Sequence, residues 1–162
     1  MNKDIPLVLH TEVIQSDWID YNGHMNLAYY VLVFDHATDE FLDLIGMTEE
    51  FRTANNVSTF SAEIHVNYVQ EVKQGDRVRV TTQLIDFDEK RIHYYHCMYH
   101  ADQGYLVATN ELLSLYMDMN ARRVGIMPDI ILNKLEQIRI EQKSLPRPEN
   151  LGSVIEIKKK PI

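Results

Sequence analysis

One long amphipathic segment sets the strongest limit on how this chain can fold. Over residues 27–45, apolar side chains recur at three- and four-residue steps, which is the spacing of one helix face. The run 29–34 is rich in strand-forming residues, but the longer periodicity favours a helix. Asn26 is suited to cap its first turn, and Gly46 is suited to end it. We therefore predict a single long helix in this region.

The apolar period changes to two after a polar connection at residues 48–56, and this alternation is typical of strands. It predicts strands over residues 63–68, 77–84, 92–98 and 106–117. A short strand at residues 8–14 precedes the helix. Short connections that suit antiparallel neighbours occur at residues 73–76, 86–90 and 102–104.

This element order poses a packing problem with few solutions. A sheet of about five strands must bury one face, and the helix at residues 27–45 is the only large apolar element that can cover it. We expect an α+β fold in which an antiparallel sheet wraps around this helix, with faces or edges left for self-association. Pro128 and the apolar positions after it predict a short final helix. Residues 1–143 are expected to form one domain, and residues 144–162 an extended arm or a partly disordered segment.

Composition and charge exclude several classes of protein. The chain has 162 residues, 45% of them hydrophobic, which fits one globular domain. Its net charge of −8 argues against a nucleic-acid partner, because phosphate neutralisation needs clustered Lys and Arg. Cys97 is the only cysteine, so no internal disulfide can form and a cytoplasmic setting is expected. The sequence contains neither a signal-peptide pattern nor the roughly 20 apolar residues of a membrane span.

The segment just before the predicted helix concentrates chemically active groups. Residues 18–26 read Trp-Ile-Asp-Tyr-Asn-Gly-His-Met-Asn, so Asp20, Asn22, Gly23 and His24 fall within five residues. The start of a helix offers unpaired amides and a dipole that favours negative charge. This combination predicts acid–base chemistry on a group that accepts hydrogen bonds from the helix start. A plain turn is the alternative, because Asn-Gly is a strong hairpin dipeptide and Asp often caps a turn.

Residues 20–26, followed by Tyr30 and Asp35, resemble the N-terminal signature of hotdog-fold thioesterases of the 4-hydroxybenzoyl-CoA and acyl-ACP groups. Residues 18–25 also resemble the betainyl-CoA thioesterases of carnitine breakdown. The resemblance implies a hotdog fold to about residue 140. It also implies hydrolysis of an acyl-CoA thioester to free acid and CoA, and a homodimer or homotetramer with active sites at subunit boundaries.

Roles for individual residues follow from this resemblance. Asp20 is expected to act as a general base on water or as a nucleophile. Asn22 would orient water or substrate, and His24 would hold Asp20 or assist proton transfer. Amides near residues 26–28 would hold the oxyanion. We further predict substrate contacts from Trp18, Tyr21, Gly23, Asn26, Leu27, Tyr30, Thr59 and His65, the last two toward the neighbouring subunit.

The aromatic residues around the motif have two interpretations. Trp18, Tyr21, Tyr29 and Tyr30 are suited to ordinary packing, or to binding a quaternary ammonium group through cation–π attraction. The second interpretation would suit a betainyl group.

Thioester hydrolysis needs no metal or cofactor, because a thiolate is a good leaving group. His93, His96 and His100 invite a metal site, but strand alternation places His93 and His96 on opposite faces, so we expect none there.

Two rival functions remain open. A hotdog hydratase or dehydratase also uses an Asp and a His, but its family pattern resembles Asp-x-Asn-Pro-x-His. Here Asn22 is followed by Gly23 and not by proline, and the His spacing is shorter. A non-catalytic acyl-CoA-binding module is the second rival.

Overall fold

The computed structural model describes residues 6–157 and contains a six-stranded antiparallel sheet with three α-helices in that range. Its elements are β1 (Leu7–Val13), a 3-10 turn (Ser16–Trp18), α1 (Leu27–Leu44), α2 (Glu49–Asn55), β2 (Val57–Tyr68), β3 (Arg77–Phe87), β4 (Arg91–His100), β5 (Leu106–Asp118), β6 (Arg123–Val124) and α3 (Asp129–Glu141). No helix among these residues is long and apolar enough to cross a membrane.

The central helix has the ends that its sequence predicts. Asn26 is the N-cap of α1, and its side-chain oxygen accepts a hydrogen bond from the Ala28 amide at 3.0 Å. At the other end, Gly46 has a φ of +90°, a conformation that favours glycine. The Gly46 amide donates to the Asp43 carbonyl and the Met47 amide to the Leu42 carbonyl. This pair of bonds is a Schellman motif, which ends the helix at the predicted place.

The sheet has the strand order β1-β3-β4-β5-β2, and the short β6 pairs with β5. All pairs are antiparallel. The connections at residues 86–90 and 102–104 join neighbouring strands as predicted, whereas residues 73–76 lie between β2 and β3, which do not pair. Among the described residues, β1 and β2 are therefore the two edges of the sheet. Only β2 is a long edge strand, with 12 residues.

Two buried clusters show how the sheet encloses α1. The first surrounds the N-terminal half of the helix, where Val33 and Phe34 pack with residues of β3, β4 and β5. The second surrounds its C-terminal half, where Phe41 and Ile45 pack against Tyr94, Leu112 and the inner face of α3. Helix α1 thus runs through both clusters, and α3 completes the second one.

Three local expectations need correction. Residues 48–56 are not a plain connection, because Thr48 caps the short helix α2 by accepting from the Phe51 amide. Strand β2 begins at Val57, six residues before the alternation predicts, because its first half is packed against β5. Pro128, predicted to be the first helical residue, is the N-cap of α3, which begins at Asp129.

The C-terminal segment lies against the sheet as far as it is described. The Gln83 side chain donates to the Pro146 carbonyl at 3.2 Å, and the Gly152 amide donates to the Glu111 carboxylate at 2.7 Å. These bonds span β3 to β5. The lysine run at residues 158–160, which the predicted arm includes, lies outside the described residues.

Candidate active site

The motif before α1 forms a tight hairpin-like turn. Ile19 and Met25 form an isolated antiparallel bridge. Within it, the Asp20 amide donates to the His24 carbonyl and the Gly23 amide donates to the Asp20 carbonyl, each at 3.0 Å. Gly23 has a φ of +81°, which L-residues with a side chain rarely adopt. A Cβ built there would meet no atom within 4 Å, so the backbone conformation alone calls for glycine.

The Asp20 side chain is half-buried and takes part in the turn. Its Oδ1 accepts a hydrogen bond from the Asn22 amide at 2.8 Å, which is the geometry of an Asx turn. Among residues 6–157, its Oδ2 has no hydrogen-bonding partner. The carboxylate therefore caps the turn with one oxygen and keeps the other available for a water molecule or a substrate.

The first amides of α1 differ in how they are used. The Asn26 amide donates to the Trp18 carbonyl at 2.9 Å, and the Ala28 amide is taken by the Asn26 cap. The Leu27 amide has no acceptor in the part of the chain that the structure describes. Of the amides expected to hold an oxyanion, the Leu27 N–H is therefore the free donor.

His24 does not contact the Asp20 carboxylate through its ring. Its Nε2 lies 3.1 Å from an oxygen of Glu71, and both side chains are partly exposed. Glu71 lies just after β2, and the Met25 amide donates to the carbonyl of the next residue, Val72, at 3.0 Å. The turn is thus tied to the segment that follows β2, which also lines an open groove of about 570 Å³ beside Lys73.

The aromatic residues of the motif divide into buried and exposed ones. Trp18 is buried and stacks on Tyr29, with ring centroids 5.4 Å apart. Tyr30 is buried edge-on against Tyr68 at 5.1 Å. Tyr21 is 97% exposed at the tip of the turn. Trp18 and Tyr30 therefore pack in the core, Tyr29 is partly buried against it, and Tyr21 presents its ring to the surface.

Thr59 and His65 lie on opposite faces of the sheet, and neither of them bonds to the turn. They are six residues apart and would lie on one face of a regular strand. The register of β2 shifts between Ser61 and Glu63, so Thr59 pairs with Tyr116, a residue of the buried core, and His65 pairs with Glu111 on the outer face. No described hydrogen bond or ion pair joins either of them to the turn.

The three histidines of β4 and its end occupy separate environments. His93 lies on the outer face, where its Nε2 contacts the Glu111 carboxylate at 2.9 Å. His96 is fully buried between Thr38 and Thr82, and burial lowers its pKa to about 3. The Nδ1 of buried His100 accepts from the amides of residues 102 and 103. The side chains of His93 and His96 face opposite sides of the strand, as the alternation predicts.

Two residues at the candidate site have no signal in the local sequence. Glu71 contacts His24, and the Tyr68 hydroxyl donates to the Leu27 carbonyl at 3.2 Å. Both lie more than 40 residues beyond the turn, and the pairing of β2 with β5 brings them to it. A pattern search within a short window cannot detect such contacts.

The fold defines the class of protein: an antiparallel sheet curled around one long helix, with a short C-terminal helix, is the hotdog fold. A protein from Staphylococcus aureus, solved in complex with CoA, superposes with a TM-score of 0.88 at 29% identity and covers 95% of this chain and 98% of its own. A candidate thioesterase from Pseudomonas putida KT2440 superposes with a TM-score of 0.84 at 34% identity, with the same coverage.

The chain belongs to the thioesterase-like superfamily, which it matches over residues 14–135. The betainyl-CoA thioesterase of Pseudomonas aeruginosa is 36% identical over 149 residues, which are 92% of this chain and 94% of that protein. The L-carnitine dehydrogenase/betainyl-CoA thioesterase of Agrobacterium fabrum is also 36% identical, and the match covers 96% of this chain but 31% of the longer protein. The protein is therefore a thioester hydrolase.

Proposed function

We propose that this protein hydrolyses betainyl-CoA or a closely similar cationic acyl-CoA, with Asp20 at the centre of the reaction. The observation that carries the proposal is the turn at residues 20–24, which holds a carboxylate with one free oxygen next to the start of α1. Similarity to betainyl-CoA thioesterases supports the substrate class. The single cysteine is consistent with a cytoplasmic location.

Asp20 acts as the general base in this proposal. The Asn22 amide fixes Oδ1, so that Oδ2 can accept a proton from water as the water attacks the thioester carbonyl. The Leu27 amide then donates to the developing oxyanion at the positive end of the helix dipole. The CoA thiolate leaves without strong acid assistance.

His24 and Asn22 serve as positioning residues. Glu71 orients the His24 ring from the segment after β2, and Asn22 supplies an exposed amide side chain at the tip of the turn. Asp20 and Glu71 together make the surroundings of the turn acidic, which favours a trimethylammonium group over an anionic acyl group.

The complete site is proposed to need a second copy of the chain. Strand β2 is a long edge with unpaired backbone groups, and Phe60, Ile64 and Tyr68 are 44%, 44% and 48% exposed along it. Tyr68 also contacts Leu27, so a partner lying along β2 would reach the helix start. A partner there would cover the half-buried carboxylate of Asp20 and exclude bulk water.

A panel of CoA thioesters tests the substrate class. Betainyl, short-chain, aromatic and long-chain thioesters are compared by the rate of free-thiol release, with an enoyl-CoA included because hydration releases no thiol. We expect the highest kcat/KM for betainyl-CoA, with the neutral isostere 3,3-dimethylbutanoyl-CoA as the matched comparison. Equal rates for the charged and neutral isosteres would overturn the cationic assignment, and conversion of the enoyl-CoA without thiol release would favour the hydratase.

Isotope transfer tests the general-base role. After many turnovers in ¹⁸O-labelled water, a general base leaves Asp20 unlabelled, whereas a nucleophile that forms an anhydride can take up the label. Mass spectrometry of the peptide containing Asp20 distinguishes the two, and ¹⁸O in that carboxylate would contradict the proposal.

Light scattering and thiol release test the proposed assembly together. Ile64→Lys places a charge on the β2 edge and should reduce both oligomer size and activity, whereas Ile140→Lys, on the exposed side of α3, should change neither. Full activity in a monomeric Ile64→Lys variant would show that one chain is sufficient.

A further inference from the structure

Two imidazoles and a carboxylate converge where β1 crosses α1, away from the turn. His10 and Glu12 lie two residues apart on one face of β1, and His36 reaches them from α1. The Glu12 Oε2 atom lies 3.0 Å from His10 Nε2 and 2.9 Å from His36 Nδ1. One ligand atom from each of the three residues lies within 4.8 Å of the others.

The cluster is partly shielded from solvent and carries excess negative charge. The Glu12 and His10 side chains are 18% and 15% exposed. Glu40 adds a second carboxylate, 3.9 Å from His10 Nδ1. Within residues 6–157, neither Glu12 nor Glu40 forms an ion pair with Lys or Arg.

The hydrogen-bonding surroundings of His10 are better satisfied with a cation bound than with a neutral, metal-free ring. A neutral imidazole has one N–H donor and one lone pair. If His10 Nε2 donates to Glu12, its Nδ1 lone pair faces the carboxylate of Glu40. If the Nε2 lone pair instead binds a metal ion, Nδ1–H can donate toward Glu40. Metal-bound histidines commonly donate their other ring N–H to a carboxylate in this way.

We propose that His10, Glu12 and His36 bind a divalent transition-metal ion, with Zn²⁺ as the best match. Two histidines and one carboxylate are a common ligand set for this ion, with a fourth position left for water. Ligand bonds of about 2.0–2.2 Å require the nitrogen–oxygen separations to open by only a few tenths of an ångström. Two ligands come from a strand and one from a helix, so both elements hold the geometry.

The proposed ion would clamp the edge strand β1 to the central helix. His36 lies ten residues beyond Asn26, or about 15 Å along the helix axis at 1.5 Å per residue. The ion is therefore remote from Asp20 and serves as a structural link in this proposal. The inference does not depend on which thioester the protein hydrolyses.

Metal titration of the full-length chain, without a histidine tag and stripped with a chelator, tests the site. We expect Zn²⁺ to bind in a 1:1 ratio by calorimetry and to raise the melting temperature. Co²⁺ should give the visible absorption of a four-coordinate site. His36→Gln and His10→Gln should each weaken binding by at least about tenfold, and Glu40→Gln by a similar or smaller factor.

His93→Gln is the matched control, because His93 also pairs with a glutamate, but among the described residues no third ligand atom lies within 4.8 Å of both groups. It should leave Zn²⁺ affinity unchanged. Circular dichroism verifies that each variant is folded before titration. Failure of Zn²⁺ to bind the stripped protein would overturn the proposal, and so would wild-type Zn²⁺ affinity in the His36→Gln and His10→Gln variants. Loss of Zn²⁺ binding in the His93→Gln control would do the same.

Discussion

The turn before α1 and the buried polar cluster around His96 differ in the range of their hydrogen bonds and in their exposure to solvent. In the turn, Asp20 bonds to residues two to four positions away and its carboxylate stays half-exposed. In the core, the ring of His96 is fully buried and bonds to Thr38 and Thr82, which come from two other elements.

The difference separates reactivity from stability. A carboxylate with a free oxygen at the surface can bind water or substrate, whereas a buried ring with both nitrogens paired is held in place. His96 also stacks on Phe34 at 5.9 Å, so its removal would disturb the packing of α1 on β4. We therefore expect substitutions in the turn to affect turnover and substitutions around His96 to affect folding.

The largest expected effect is on catalysis, from Asp20→Asn. Asparagine can keep the Asx turn through its side-chain oxygen but cannot accept a proton, so kcat should fall by at least about 100-fold. Thiol release measures turnover, and thermal unfolding should give an unchanged melting temperature. Asp17→Asn, an exposed position just upstream, is the control and should retain full activity. Full activity in Asp20→Asn would show that the turn does not carry the reactive carboxylate.

His96→Leu should show the reverse behaviour. It leaves the Thr82 hydroxyl unpaired in the core, which should destabilise the fold by about 1–3 kcal/mol. Urea unfolding measures the loss, and kcat per folded molecule should stay near the wild-type value. Adding Thr82→Val should recover part of the stability, because both partners are then apolar. A loss of turnover without a loss of stability would refute the structural role of His96.

The pH dependence of unfolding sharpens the comparison further. Burial lowers the pKa of His96 to about 3 from its ordinary 6.5, so the unfolded chain binds a proton that the folded chain does not. Stability should therefore fall as pH decreases below about 6.5, by up to about 1.4 kcal/mol per pH unit from this group. Urea midpoints between about pH 7 and pH 5 measure it, and His96→Leu should give a shallower slope. An identical slope in that variant would exclude His96 as the source.

Asn26→Ala should destabilise the fold less than His96→Leu does, at the residue that connects the turn to α1. Loss of the bond to the Ala28 amide should cost about 1 kcal/mol in unfolding free energy. Asn26→Ser should restore most of it, since serine also caps helices. If alanine at this position lowers turnover more than serine does, the cap also positions the Leu27 amide, and equal turnover would limit Asn26 to the helix.

Much of the architecture could be predicted because it follows from local rules. Helix α1 and the four long strands appear as periods in the apolar residues, and Gly46 marks the end of the helix. The short helix α2 escaped prediction, although Thr48 followed by two glutamates is a helix-start signal, because seven residues carry too few apolar positions to show a period. The shift in β2 near Ser61 also escaped it, since nothing in the alternation marks where a strand gains a residue.

The sequence by itself determined the turn at residues 20–24, the cap at Asn26 and the alternation of the strands, because backbone geometry and neighbouring side chains fix these features locally. Only the tertiary structure decided that His24 meets Glu71, that His36 joins His10 and Glu12, and that Thr59 and His65 part to opposite faces. Such contacts depend on strand order and register, which come from burying the whole sheet on one helix and are not encoded in any short segment.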